Sequence, residues 1–206
     1  MGLFGDEADE PATRELKARA RSLAKITLNL SGMTPPLDPL EPRNMSSGLA
    51  KRTLKNLDFI KNAALAGEDV HPVTQAVNSL LGLLVFPVEK EKNFLAALRD
   101  VKFDDPSDLQ GVCVTLTKHL PVPSLRVAQF EKCKDLGCFF VRVRNAISHK
   151  HLEFSGDSDS RVLADVKVTL KDGHEGRPFN WEITMNAEDL ERLSRYVAKR
   201  VIDQGL

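Results

Sequence analysis

The sequence predicts a mainly α-helical bundle with a two-stranded β-hairpin inserted before its last helix. Three observations carry that expectation. Apolar residues recur at helical spacing through most of the chain from Ser46 to about Phe154. Beyond Ser155-Gly156-Asp157 the period shortens to two, as in a half-buried strand pair. From Asn186 onward the helical period returns.

Taken in order, Thr13 to Leu30 reads as a helix. Leu16, Ala20, Leu23, Thr27 and Leu30 share one side, with Arg14, Lys17, Arg21 and Lys25 around it. Its apolar face is narrow and lacks aromatic anchors, so packing on the main body or a sister subunit is expected over a membrane or RNA surface. Gly32 to Arg43 carries Pro35, Pro36, Pro39 and Pro42 and reads as a linker, since each proline denies a helix one hydrogen bond. The expected division is therefore residues 1–43, an amphipathic helix and linker, and residues 44–206, a helical domain with its hairpin at about 161–185.

Within that domain a helix is expected over Ser46–Ala66, with Leu49, Leu54, Leu57, Ile60, Ala64 and Leu65 inward. Pro72 suits the first turn of the next helix, where its missing N–H would be unpaired anyway. That helix carries Val73, Val77, Leu80, Leu81, Leu84 and Val85 and should stop at Pro87. A short helical piece is expected around Phe94 to Leu98. Asp105 as N-cap and Pro106 at N1 predict a helix to His119.

After Pro121 and Pro123, Ser124 to about Phe154 reads as the central helix, interrupted or kinked at Gly137. Phe139, Val143, Ala146 and Ile147 face inward. Val162, Ala164, Val166, Val168 and Leu170 then alternate with polar residues, as do Phe179, Trp181, Ile183 and Met185. Lys171-Asp172-Gly173 is the expected turn between them. Asn186 can cap the last helix with Asp189 at N3, and Leu190, Leu193 and Val197 begin its apolar stripe.

At 206 residues the chain suits one domain with extensions. Its 29 basic and 29 acidic residues cancel, so any RNA contact must come from a local patch. Three cysteines make no disulfide framework, and a reduced, intracellular setting follows. Cys133-x4-Cys138 ahead of His149 and His151 departs from zinc-finger spacing, so free thiols and no metal are expected there. Cys113 should be packing. Asp6, Glu7, Asp9 and Glu10 stand where a leader peptide would carry positive charge, and no stretch approaches the ~20 apolar residues of a membrane span. A cytoplasmic protein without a membrane partner is expected. G-x-S-x-G, G-x-G-x-x-G and a phosphate-cradling glycine loop are missing from the sequence, so those hydrolase and nucleotide classes lack support.

One constellation carries chemistry. Arg144-Asn145-Ala146-Ile147-Ser148-His149 joins a permanent cation suited to phosphate with a side chain that moves protons near neutral pH. These groups suffice to cleave RNA at its own 2′-hydroxyl without a metal or other cofactor. Asn145 adds an orienting amide, and Arg142, Lys150 and His151 make the surroundings cationic, as an RNA- or phosphate-binding patch would be. At about 100° per residue, His149 shares an azimuth with Arg142 and Asn145, whereas Arg144 points about 140° away. Either the helix is distorted, or two motif helices complete one site across a two-fold axis, which is the favoured reading. The competing reading of the same residues makes Arg144 a surface ion-pair partner and His149 a hydrogen-bonded, partly buried histidine.

These residues resemble the HEPN superfamily (higher eukaryotes and prokaryotes nucleotide-binding domains), whose mark is arginine, then a polar residue, and histidine four to six positions on, late in a helical bundle. Asn78 to Pro87 and His149 to Phe154, with the hairpin and closing helix, look like HEPN nucleases of bacterial plasmids and defence loci. The resemblance covers roughly residues 44–204. It implies a metal-independent endoribonuclease acting as a homodimer, with Arg144, Asn145 and His149 catalytic. It also implies a toxin or phage-defence setting with an antitoxin or regulatory partner. Two alternatives stay open: a non-catalytic HEPN-like RNA- or nucleotide-binding adaptor, and a plain helical interaction protein.

Overall fold

The computed structural model describes residues 45–90, 92–156, 163–173 and 176–203, with 86–90 and 92–94 described by backbone alone. The expected helix at Thr13–Leu30 and the proline-rich linker lie outside these residues, as does His174. The described part falls within one compact unit, Leu40–Leu206. It is mainly helical.

Helix α1 spans Met45–Leu65 and α2 Pro72–Lys90, followed by the short α3, Lys92–Arg99. Pro72 opens α2 as its missing N–H suggests. Pro87, expected to stop that helix, lies inside it, because proline removes one hydrogen bond and the helix ends within the following turn. Helix α4 covers Leu109–His119, starting later than expected. Asp105 spends its carboxylate on the N–H and hydroxyl of Ser107, at 2.8 and 2.7 Å, so it closes a turn rather than capping a helix.

The stretch expected to be one long helix from Ser124 divides into three elements. Strand β1 is Arg126–Phe130, helix α5 is Leu136–Ser148, and strand β2 is Leu152–Ser155. Asp135 caps α5 by accepting from the Cys138 N–H at 2.9 Å. Gly137 therefore marks the first turn of α5 and no kink. A Cβ there would stand 2.7 Å from Arg99 Cγ and 3.3 Å from the Leu95 carbonyl, so glycine permits the close approach of α3.

The hairpin is present as β3, Lys167–Asp172, and β4, Trp181–Asn186, paired antiparallel with Asp172 opposite Trp181. Its turn comes after Asp172, not at Lys171–Gly173, because β3 keeps its pairing to that point. Both flanks are extended, giving a four-stranded antiparallel sheet in the order β1-β4-β3-β2. The outer strands were invisible to periodicity for a physical reason. β2 has three exposed residues in a row, and β1 shifts register between Val127 and Gln129, so neither alternates cleanly. A short 3₁₀ turn at Leu163–Asp165 precedes β3.

Helices α1, α2 and α6, Ala187–Asp203, pack together, while α5 lies between α2 and the sheet. Asn186 caps α6, its Oδ1 accepting from the Asp189 N–H at 2.8 Å. Asp189 is fully buried and accepts from the Ser124 N–H and hydroxyl, at 2.7 and 2.5 Å, and from Arg192 at 2.8 Å. Helix α1 buries Ser46, Ser47, Ala50, Thr53 and Leu57, a face of mostly small side chains. Leu65, expected inward, is 79% exposed at the helix end. Trp181 is fully buried, with Phe139 edge-on at 6.0 Å and Phe130 at 6.3 Å, which ties the sheet to α5. Among the described residues no helix is long and apolar enough to cross a membrane.

Trp181→Ala should lose about 3–5 kcal/mol of folding stability by urea denaturation. Phe59→Ala, at a side chain 70% exposed on α1, should stay within about 0.5 kcal/mol of the parent.

Candidate functional site

The site is built where α5 ends against β3. Helix α5 presents Arg142 and Asn145 on adjacent turns, and both donate to one carboxylate oxygen. Arg142 Nη1 lies 2.9 Å and Asn145 Nδ2 3.3 Å from Asp172 Oδ2. The Asp172 side chain is only 4% exposed, and these donors satisfy an oxygen that water can scarcely reach. Burial works against the Arg142 charge. The hydrogen bond and the charge of Asp172 outweigh it, and the guanidinium is held protonated more firmly than usual.

The helix then stops without a glycine. His149 is the C-cap, at φ −90° and ψ 6°, and Lys150 takes the left-handed conformation at φ 60°. The Lys150 N–H donates to the Ile147 carbonyl at 3.1 Å, and the His151 N–H to the Ala146 carbonyl at 2.8 Å. This is the Schellman pattern, with lysine where glycine is usual. The reversal ends the helix that was expected to run to about Phe154, and turns His151 back beside His149. Both line the same cleft, their ring centroids 5.9 Å apart. His151 is anchored by its carbonyl, which accepts from the Lys171 N–H at 3.0 Å, and its ring meets Phe179 edge-on at 4.9 Å. His149 is exposed and His151 half-buried, its Nδ1 without a hydrogen-bond partner among the described residues.

The cleft holds about 590 Å³, within the range of small-ligand sites. Arg142, Asn145, His149 and His151 line it from the α5 side, with Asp172, Arg177 and Phe179 opposite. Of the six residues singled out in the sequence, four converge here. Arg144, half-buried on α5, and Lys150, exposed at the helix end, are not among the described residues of the lining. The helix is not distorted in the way that would bring Arg144 beside His149 in one chain: His149 stays on the face of Arg142 and Asn145.

Asp172, Arg177 and Phe179 were missed by sequence reasoning. Asp172 had a usable signal: Val168, Leu170 and Asp172 share the inward parity of β3, so a carboxylate stood at a core position and needed partners. Assigning it to a turn hid that signal. Arg177 and Phe179 lie in the loop between β3 and β4; the alternation that placed Phe179 in the second strand begins only at Trp181. Among the described residues no group of three or more His, Cys, Asp or Glu side chains is gathered to hold a metal ion.

A family model described as HEPN pEK499 p136 matches residues 33–205. No curated protein matches the chain significantly. No solved structure does so either. At the level of the family the match points to a nuclease or RNA-related function.

Lys150→Gly should raise stability by about 1 kcal/mol in thermal or urea melts, because glycine occupies the left-handed region without a Cβ penalty. Asp172→Ala should cost about 2–3 kcal/mol, since it strands a mostly buried guanidinium. Adding Arg142→Ala to that variant should cost less than the sum of the single losses, the signature of a coupled pair.

Proposed function

The chain belongs to the HEPN superfamily, in the family described as HEPN pEK499 p136, and on that premise we propose that it is an endoribonuclease cutting RNA at its own 2′-hydroxyl. The observation that carries the reading is the convergence of His149, His151 and Asn145 on one open cleft. His149 removes the 2′-OH proton, the 2′-oxygen attacks phosphorus, and the bond to the 5′-oxygen breaks. A second imidazole returns a proton to the departing 5′-oxygen; His151 beside it, or His149 of a second copy, has the chemistry for this. The products carry a 2′,3′-cyclic phosphate and a 5′-hydroxyl. DNA, which lacks the nucleophile, survives.

Arg144 stabilises the charge that builds on the phosphorane. Because it lies off the cleft of its own chain, a homodimer in which each copy supplies Arg144 to its neighbour's His149 is the arrangement this chemistry asks for. Asn145 orients rather than reacts. Arg142, held by Asp172, with Lys150 and Arg177, supplies the positive field for the RNA backbone. A toxin or phage-defence setting, with an antitoxin or another regulatory partner holding the activity off, belongs to the same proposal, as does a cytoplasmic location.

A second reading is favoured by the same displacement of Arg144. In it the domain binds RNA or a nucleotide in the cleft and serves as a dimeric adaptor without cutting.

Purified protein with labelled RNA in EDTA separates the two. Cleavage should persist under chelation and fall about 10²–10⁴-fold in Arg144→Ala and in His149→Ala. Mixing the two inactive variants should restore roughly a quarter of parental activity through mixed dimers, each holding one complete site. His149→Ala cutting at the parental rate would overturn the nuclease reading, and binding without cleavage would establish the adaptor.

A further inference from the structure

Two of the three cysteines meet in the turn between β1 and α5, outside the chemistry proposed above. Cys133 is fully buried, and Cys138 is half-buried as the third residue of α5. Cys138 Sγ lies 3.8 Å from the Lys132 carbonyl and Cys133 Sγ 3.9 Å from the Asp135 carbonyl, so each sulfur sits over the neighbourhood of the other. The two thiols are close enough to perturb one another's ionisation. The turn that gathers them is firmly held. Lys132 takes the left-handed conformation at φ 57°, Asp135 caps the Cys138 N–H, and the Leu136 N–H donates to the Val101 carbonyl at 3.0 Å. Cys113 is elsewhere, its thiol donating to the Leu125 carbonyl at 3.2 Å.

The electrostatics divide the pair into two roles. The Cys138 thiol is lowered to about 7, first by the hydrogen bond from Cys133 and then, against burial, by the guanidinium of Arg142 one turn along. Cys133 is pushed up by donating that hydrogen bond and by burial, so it keeps its proton. Near neutral pH Cys138 is therefore partly ionised beside a thiol that stays protonated.

We infer that Cys133 and Cys138 form a hydroperoxide-responsive site that closes to an intramolecular disulfide. The Cys138 sulfur attacks the peroxide, the O–O bond breaks, and one oxygen stays on sulfur as a sulfenic acid while the other leaves as hydroxide and becomes water. Cys133 then loses its proton and attacks the Cys138 sulfur. The S–S bond forms, the S–O bond breaks and a second water departs. Two thiols are oxidised by two electrons and one peroxide is reduced to two waters. The site also borders the cleft, since Cys138 stands one helical turn before Arg142, the residue that holds Asp172, and its charge acts on that guanidinium. Oxidation removes the sulfur's negative charge from that guanidinium.

The test uses the full reduced chain, dilute hydrogen peroxide at neutral pH, and alkylation of the remaining thiols before digestion without reductant. Trypsin can cut after Lys134, between the two cysteines, so the disulfide leaves two joined peptides. The expected protein is lighter by two hydrogens, with Cys113 alkylated and dithiothreitol reversing the change. Cys138→Ser should form no disulfide, and Cys133→Ala should leave Cys138 as a sulfenic acid that dimedone traps. If Cys133→Ala does not fold, alkylation of the parent decides: Cys138 should react well ahead of Cys113, with its rate half-maximal near pH 7 and falling below it. Cys138 reacting no faster than Cys113, or a disulfide that includes Cys113 or joins two chains, would overturn the inference. None of these readouts involves RNA, so their failure and that of the cleavage reading are separate events.

Discussion

The buried carboxylate of Asp172 is the constraint around which the rest of the described structure is arranged. A charge with so little access to water is tolerable only with close donors, and α5 provides two of them one turn apart, Arg142 and Asn145. Meeting that demand sets the rotation of α5 against the sheet and the depth at which β3 ends. It also brings the loop after β3 over the end of α5, so that a cleft exists at all. Asn180, just before β4, joins the same cluster through Arg142 and through its own N–H, which donates to the Asp172 carbonyl at 3.2 Å.

Helix α5 serves three ends along its length. At the first turn it presents Cys138 to Cys133, in its middle it grips Asp172, and past its last turn it delivers two imidazoles to one opening. The last of these rests on a strained residue. Lysine at the left-handed position closes the helix immediately after His149, and the reversal carries His151 back toward the same space. A helix continuing to Phe154 would have sent the histidines in different directions. Holding a non-glycine residue there sets both rings at one polar cleft.

The electrostatic character of the cleft differs from a bare cationic patch. Arg142 is paired with Asp172, so the positive field over the cleft is shared between the floor and the groups around the rim. Any positive field in a chain whose charges cancel overall is local, as it is here. Arg144, the motif's other permanent cation, is carried on a different face of α5 from the imidazole of His149.

The sequence by itself determined the helices with long apolar stripes, the central hairpin, the capped final helix and the motif Arg144, Asn145 and His149. Each is a local property: a period, a cap, or residue types at fixed spacing. Only the tertiary structure decided that the presumed long helix is a strand, a helix and a strand. The outer strands bury too few residues to alternate, and the stop at Lys150 uses a conformation that lysine does not announce. Only the fold, likewise, could place Asp172 beneath residues some thirty positions earlier. A buried charge takes its partners from whatever the chain brings near it, and the period of a strand shows which side it faces but never what waits there.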